Sequence, residues 1–175
     1  MIVLGIDPGL AIVGYGVINV EKGVSTIVDY GVITTPKEDT VPVRLLKIEE
    51  GINGILDKYQ PDQIALEELF FNTNTTTGIN VAQARGVIVL TCLKRCKELF
   101  EYTPLQIKQA MTGYGKADKK QIEYMVTKRL NLVKVPKPDD AADALAAALT
   151  HAQTARFTSQ FKIGNQYRKE GFPKK

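Results

Sequence analysis

Cysteine, histidine and long apolar runs are all scarce in this chain of 175 residues. Only two cysteines occur, Cys92 and Cys96, four apart in a stretch that reads as helix. A pair at that spacing builds no secreted disulfide framework, so both are expected to be buried thiols in a reducing cytosol. The single histidine, His151, lies far away in sequence, too little for a zinc site. The longest largely apolar run, Val87 to Leu93, is much too short to cross a bilayer, and Asp7 interrupts the apolar stretch near the N-terminus. No membrane association is expected, and the expected compartment is the cytoplasm.

What is present is ordinary globular composition, 44% apolar and 24% charged, which argues against disorder, collagen or coiled coil. A chain of this length buries roughly 70% of its unfolded surface in one core and needs no staple. The net charge of +4 hides a gradient. Residues 1–93 carry six cationic side chains against eleven acidic ones, residues 94–150 eleven against seven, and residues 151–175 six against one. A basic C-terminal half attracts polyanions such as nucleic acid, and the acids of the first half then need a purpose of their own.

Residues 2–6 read as a buried strand closed by Asp7, Pro8 and Gly9. Val13–Val20 and Val24–Thr34, rich in β-branched residues around Glu21, Lys22 and Gly23, predict a hairpin. Gly14 and Gly16 leave one face of its first strand bare for a ligand or, the favoured reading, for a packed helix. Leu45, Ile48, Ile52, Ile55, Leu56 and Tyr59 form a 3.6-residue stripe and predict an amphipathic helix over 43–59. A fourth strand is expected at 63–71, a helix largely buried in the core at 79–96, and a fifth strand at 99–103. Helices are expected at 105–111, 118–130 and 139–153. The pattern predicts an α/β fold, a five-stranded mixed sheet with helices on both faces. One domain is expected over residues 1–155, followed by a basic, poorly packed tail over 156–175.

Four acids interrupt apolar segments, where a carboxylate survives only with a compensating partner: Asp7, Glu67, Asp140 and Asp143. Asp140 and Asp143 are three apart in DDAADALAAAL and share a helix face, which Asp139 could also join. Glu67 and Glu68 point to opposite faces of a strand, so both cannot join one cluster without a bulge. Carboxylates converging without cationic partners repel unless divalent cations neutralise them, and magnesium is the natural occupant. Two ions could hold the attacking and leaving oxygens of a phosphodiester, while lysines bind neighbouring phosphates. Taken singly each acid has a structural reading too, a helix start for Asp139 and Asp140 or a turn start for Asp7.

The segments GIDPGLAIVGYGVI, ALEELFF, QARGV, YTPLQIKQAMTGYGKADKKQI and DDAADALAAALTH together resemble the RuvC family of Holliday-junction resolvases, over about residues 2–152. The resemblance implies a ribonuclease-H-like fold and a homodimer that cuts two strands symmetrically at a four-way DNA junction. It also implies magnesium dependence, with manganese able to substitute, and cooperation with a branch-migration complex. The family's catalytic, metal-binding carboxylates fall on Asp7, Glu67, Asp140 and Asp143, and its basic DNA-contacting positions on Lys108 and Lys119. Lys116 and Lys120 join them by charge alone. The aromatic position after the catalytic glutamate falls on Phe70, which with Phe71 either stacks on an exposed base or packs in the core. Two other classes stay open: a non-catalytic junction-binding module, and an ATP-phosphate-binding domain of the sugar-kinase or actin type, which opens with a similar strand, turn and hairpin.

Overall fold

The computed structural model describes residues 1–68, 75–95, 98–158 and 166–168. Strands β1 (Ile2–Asp7), β2 (Ile12–Glu21) and β3 (Val24–Thr34) form an antiparallel meander, with Lys22 and Gly23 at positive φ in the β2–β3 turn. Helix α1 (Val41–Tyr59) leads to β4 (Gln63–Glu67), which pairs parallel with β1, and α2 (Thr75–Arg95) leads to β5 (Glu98–Tyr102), parallel to β4. Helices α3 (Pro104–Thr112), α4 (Lys119–Arg129) and α5 (Asp139–Thr158) follow. A short strand β6 (Gln166–Arg168) pairs antiparallel with β5, so the sheet runs β3-β2-β1-β4-β5-β6. The five expected strands are all there. The sixth comes from the tail, where no period announced it, and α5 runs to Thr158, beyond the expected domain boundary at 155.

Side-chain alternation splits the core into two layers. Leu4, Ile6, Ile64, Leu66 and Leu99 point to the side covered by α1 and α2. Val3, Ala65, Phe100 and Tyr102 point to the side covered by α3, α4 and α5. The predicted stripe of α1 is the buried one, through Ile48, Ile52, Ile55 and Leu56. The expectation for α2 is corrected: Ala84, Ile88 and Cys92 are buried, but Ile79 and Leu90 are 60% and 56% exposed, and Gln83 and Gly86 between them are exposed as well. Only one side of this apolar helix meets the sheet. Cys92 is a buried free thiol, as its spacing implied, while Cys96 lies outside the described residues.

Helix α5 lies closer to the sheet than side chains normally permit. A Cβ on Gly5 would sit 2.0 Å from the Ala144 carbonyl oxygen, and one on Gly14 2.0 Å from that of Asp140. The bare glycine face of β2 therefore receives a helix backbone. Residues Ala141 to Ala148 of α5 match it with alanines, apart from Asp143 and Leu145. The end of α5 is fastened by His151, fully buried between Tyr102 Oη on Nδ1 and Gln63 Oε1 on Nε2, each at 2.7 Å. Burial pushes its imidazole down to about 4, so the ring is neutral and structural.

Candidate active site

Period-two alternation aims the first carboxylates. Asp7 ends β1 on the same face as Val3 and Gly5, the face under α5. In the parallel β1–β4 register Ile6 pairs with Leu66, so the next residues, Asp7 and Glu67, end adjacent strands side by side. Glu67 shares its face with Ala65, whereas Glu68 points away and its N–H donates to the Tyr102 carbonyl at 2.8 Å. Helix α5 supplies the acids from above, its first turn resting on Gly14 through the Asp140 carbonyl.

Asp7, Glu67 and Asp143 line one cavity of about 260 Å³ together with Lys108 from α3 and Lys119 from α4. Asp140 does not enter it. Its side chain lines the adjoining cavity of about 420 Å³ with Gly9, Arg44 and Asn80, yet lies near enough to Asp7 to act on its charge. Both lysines sit on helices whose starts are fixed by reciprocal capping boxes. In α3, Thr103 and Gln106 satisfy each other's backbone, and in α4 Asp118 and Gln121 do the same.

The cavity is electrostatically strained. Burial, then the charges of Glu67, Asp143 and Asp140, push Asp7 up to about 8 against the pull of Lys119. Burial and Asp143 push Glu67 up to about 7, against Lys119 and Lys108. Burial also raises Asp143, although Lys119 Nζ stands 3.2 Å from its Oδ2. The same ammonium reaches Asp139 Oδ2 at 3.4 Å, and these two partners hold it above the usual lysine range although burial works the other way. Asp139, drawn outward by Lys137 at 2.6 Å as well, is held below its usual value and belongs to the rim.

Among the described residues no three metal-binding side chains are gathered tightly enough to cage an ion as they stand. The donor chemistry nevertheless suits one. Every candidate ligand is a carboxylate oxygen, the set preferred by magnesium, manganese or calcium, and neither Asp7 nor Glu67 has an ion-pair or hydrogen-bond partner among the described residues. A hard divalent cation would relieve the repulsion that now favours protonation, so the residues fit the group.

Of the expected DNA-contacting residues, Lys108 and Lys119 are in the acidic cavity, while Lys120 lines a separate pocket on another side of α4 and Lys116 is exposed in the preceding loop. Phe70 and Phe71 lie outside the described residues. One buried acid escaped the sequence reading: Glu101, in the middle of β5, is 3% exposed and pairs with Arg85 of α2. It faces the α1–α2 layer, away from the cavity, and its signal was the single arginine inside QARGV facing an acid inside LFEY.

Strand-end carboxylates meeting a helix-borne acid over a mixed sheet, with lysines around them, define a metal-dependent phosphodiesterase of the ribonuclease-H-like type. The comparisons narrow this. Residues 3–151 match the profile of the family described as crossover junction endodeoxyribonuclease RuvC. A RuvC of Alkaliphilus oremlandii is 58% identical over 163 residues, 93% of this chain and 99% of its own length. That of Clostridioides difficile is 51% identical over 168 residues, 95% and 99%. The solved structure of Thermus thermophilus RuvC in complex with Holliday junction substrate superposes with a TM-score of 0.83 at 30% identity, covering 95% of this chain and all of the other. The yeast mitochondrial resolvase Ydc2, 16% identical with a TM-score of 0.66 over 90% of this chain and 80% of its own, shares the fold. This chain belongs to the RuvC family. It is an endodeoxyribonuclease that hydrolyses DNA phosphodiester bonds and depends on a divalent metal, which displaces the ATP-binding and non-catalytic readings. No described helix is long and apolar enough to cross a membrane.

Proposed function

We propose that this chain resolves four-way DNA junctions in recombination and repair, cutting two strands symmetrically as a homodimer in the cytoplasm, with a pair of magnesium ions at each site. The observation that carries the reading is the shared cavity of Asp7, Glu67 and Asp143 flanked by Lys108 and Lys119. Asp7, Glu67, Asp143 and, from the adjoining cavity, Asp140 would hold the metal, with manganese able to take its place. Bound there, the metal supplies charge neutralisation at the scissile phosphate and a nucleophile at neutral pH. The chain's own part is positional. The two strand ends fix Asp7 and Glu67 beside each other, α5 sets Asp143 above them, and Lys108 and Lys119 draw phosphates of the bound strand to the cavity mouth. A branch-migration complex is the partner that goes with this activity in the family.

The test is cleavage of a synthetic four-way junction against linear duplex of the same sequence. Paired nicks in the junction alone, with magnesium and not with EDTA, are the expected outcome. Equal cutting of both substrates would remove the junction from the proposal.

The exposed side of α2 supports the dimer. Ile79, Gln83, Gly86 and Leu90 follow one another along one face, and a Cβ at Gly86 would meet nothing within 4 Å. Ile79 and Leu90 give this face apolar side chains that a partner copy could cover, and a junction with two equivalent strands calls for two equivalent sites. Leu90→Glu is expected to halve the mass seen by sedimentation, leave the monomer folded, and convert paired cuts into single nicks. A dimer that survives the charge would move the interface elsewhere.

A further inference from the structure

We propose that the pocket on the outer side of α4 is a second DNA-contact site, gripping a nucleotide of the junction about three positions along the strand from the bond that is cut. The proposal rests on the junction-cutting reading above and adds to it a place, a chemistry and a register.

The pocket, of about 410 Å³, is walled by Tyr114, Lys120, Gln121 and Tyr124, with Thr112, Asp118 and Met125 completing it. Its two tyrosines are 47% and 58% exposed, flat apolar faces turned to water, whereas the other tyrosine and phenylalanine rings whose exposure is described are buried or half-buried. Tyr114 is held in place: its hydroxyl donates to Gln121 Oε1 at 2.9 Å, the oxygen that also accepts the Asp118 N–H at 2.9 Å. Thr112 Oγ1 in turn donates to the Tyr114 carbonyl at 3.0 Å. A wall fixed in advance loses little freedom when a ligand settles against it.

The charge is suited to a polyanion. Lys116 and Lys120 are exposed and have no ion-pair partner among the described residues, and Lys128 Nζ stands 5.7 Å from the Tyr124 ring centroid. The one acid on the pocket, Asp118, is engaged in capping α4 through the Gln121 N–H at 2.9 Å. Lys119, a single residue away, is directed into the catalytic cavity and occupied by Asp143 and Asp139. The first turn of α4 thus presents consecutive lysines to two different pockets. Exposed rings beside unpaired ammonium groups are the furnishing of a nucleic-acid groove, where rings take bases or sugars and cations take phosphates.

The register follows from the helix between the pockets. Ile122 and Lys119 face the catalytic cavity, and Lys120, Gln121 and Tyr124 face the other. Their separation is about one helix diameter, roughly 10 Å. At about 3.4 Å of rise per nucleotide this is about three nucleotides.

The experiment uses the full-length protein in EDTA and synthetic junctions carrying one methylphosphonate, a neutral phosphate, stepped one position at a time along the cut strand. Binding is followed by fluorescence anisotropy as salt is varied. Wild type is expected to lose affinity at one step about two to four nucleotides from the cut. Lys120→Ala is expected to bind more weakly, to have a salt slope lower by about 0.9, and to lose nothing further at that step. Tyr124→Leu keeps the charge, so its salt slope should match wild type while its affinity drops about tenfold. An interference profile of Lys120→Ala identical to that of wild type, or no interfering step within six nucleotides, overturns the proposal. A wild type that does not distinguish junction from duplex would overturn the junction reading instead, which keeps the two failures apart.

Discussion

Asp7→Asn is expected to bind a four-way junction as tightly as wild type and to cut it at least a thousandfold more slowly. The carboxylate lies where two strand ends and α5 converge, and a neutral amide there weakens the hold on a divalent cation while changing the shape of the cavity little. A thousandfold loss corresponds to about 4 kcal/mol of transition-state stabilisation. A second expectation concerns stability without metal. Asp7 ionises at about 8 in the folded protein against an ordinary value of 3.8. The folded state therefore holds this proton more tightly than the unfolded chain. The stability this confers is complete below pH 3.8 and is lost progressively as pH rises to about 8. At about 1.4 kcal/mol per pH unit the loss amounts to several kcal/mol, and asparagine escapes it. In EDTA the variant should melt above wild type at pH 9, with the gap closing toward pH 4. Added magnesium should then raise the melting temperature of wild type more than that of the variant. A variant less stable than wild type at pH 9 in EDTA would assign Asp7 a structural bond instead.

What the sequence disclosed and what it withheld divide along physical lines. Local periodicity was enough to find the strand ending on Asp7, the stripe of α1, and the glycine face of β2 that receives α5, because each depends only on neighbours within a few residues. Alternation also allowed only one of Glu67 and Glu68 into a cluster, and Glu67 is the one on the α5 side. Facts set by the partner across space were not legible. The middle of α2 is apolar on nearly every side, yet Ala84, Ile88 and Cys92 are the residues fully buried under it while Ile79 and Leu90 face outward, since hydrophobicity says that a face is buried by something and not by what. Glu101, an acid inside a strand that the sequence reading passed over, is paired with Arg85 on the far face, a partner that only the docking of α2 on β5 reveals. Asp140 and Asp143 share a helix face in projection, yet they line different cavities, a separation that depends on what packs around α5 and not on their spacing. The pairing of Lys119 with Asp143 and Asp139 depends on how α4 docks on α5, which no motif spacing encodes.

The close approach of α5 leads to the second large effect, at Gly14. An alanine there would place its Cβ 2.0 Å from the Asp140 carbonyl oxygen and 2.4 Å from the carbonyl carbon, both backbone atoms of a helix that cannot swing aside as a side chain can. The clash is relieved only by lifting the first turn of α5 off β2, by an ångström or more. Overpacking of this kind costs about 1–3 kcal/mol, a tolerable fraction of the stability of an ordinary domain. The lifted turn, however, carries Asp140 and leads directly into Asp143. A misplacement of about 1 Å in a catalytic constellation is enough for about a hundredfold loss of rate. Gly14→Ala is thus expected to remain folded with a lowered melting temperature, to retain junction binding, and to lose at least that factor in cleavage. Gly54→Ala is the contrasting case. On α1 a Cβ at this position meets nothing within 4 Å, and replacing a helical glycine should stabilise by about 0.5–1 kcal/mol without touching the rate. The Cβ at Gly14 runs into the backbone of Asp140 and Ala141, which sets the height of α5 above the sheet, and the one at Gly54 meets open space. If Gly14→Ala cut junctions at the wild-type rate, the position of Asp140 and Asp143 would have to be fixed by something other than the seating of α5 on β2.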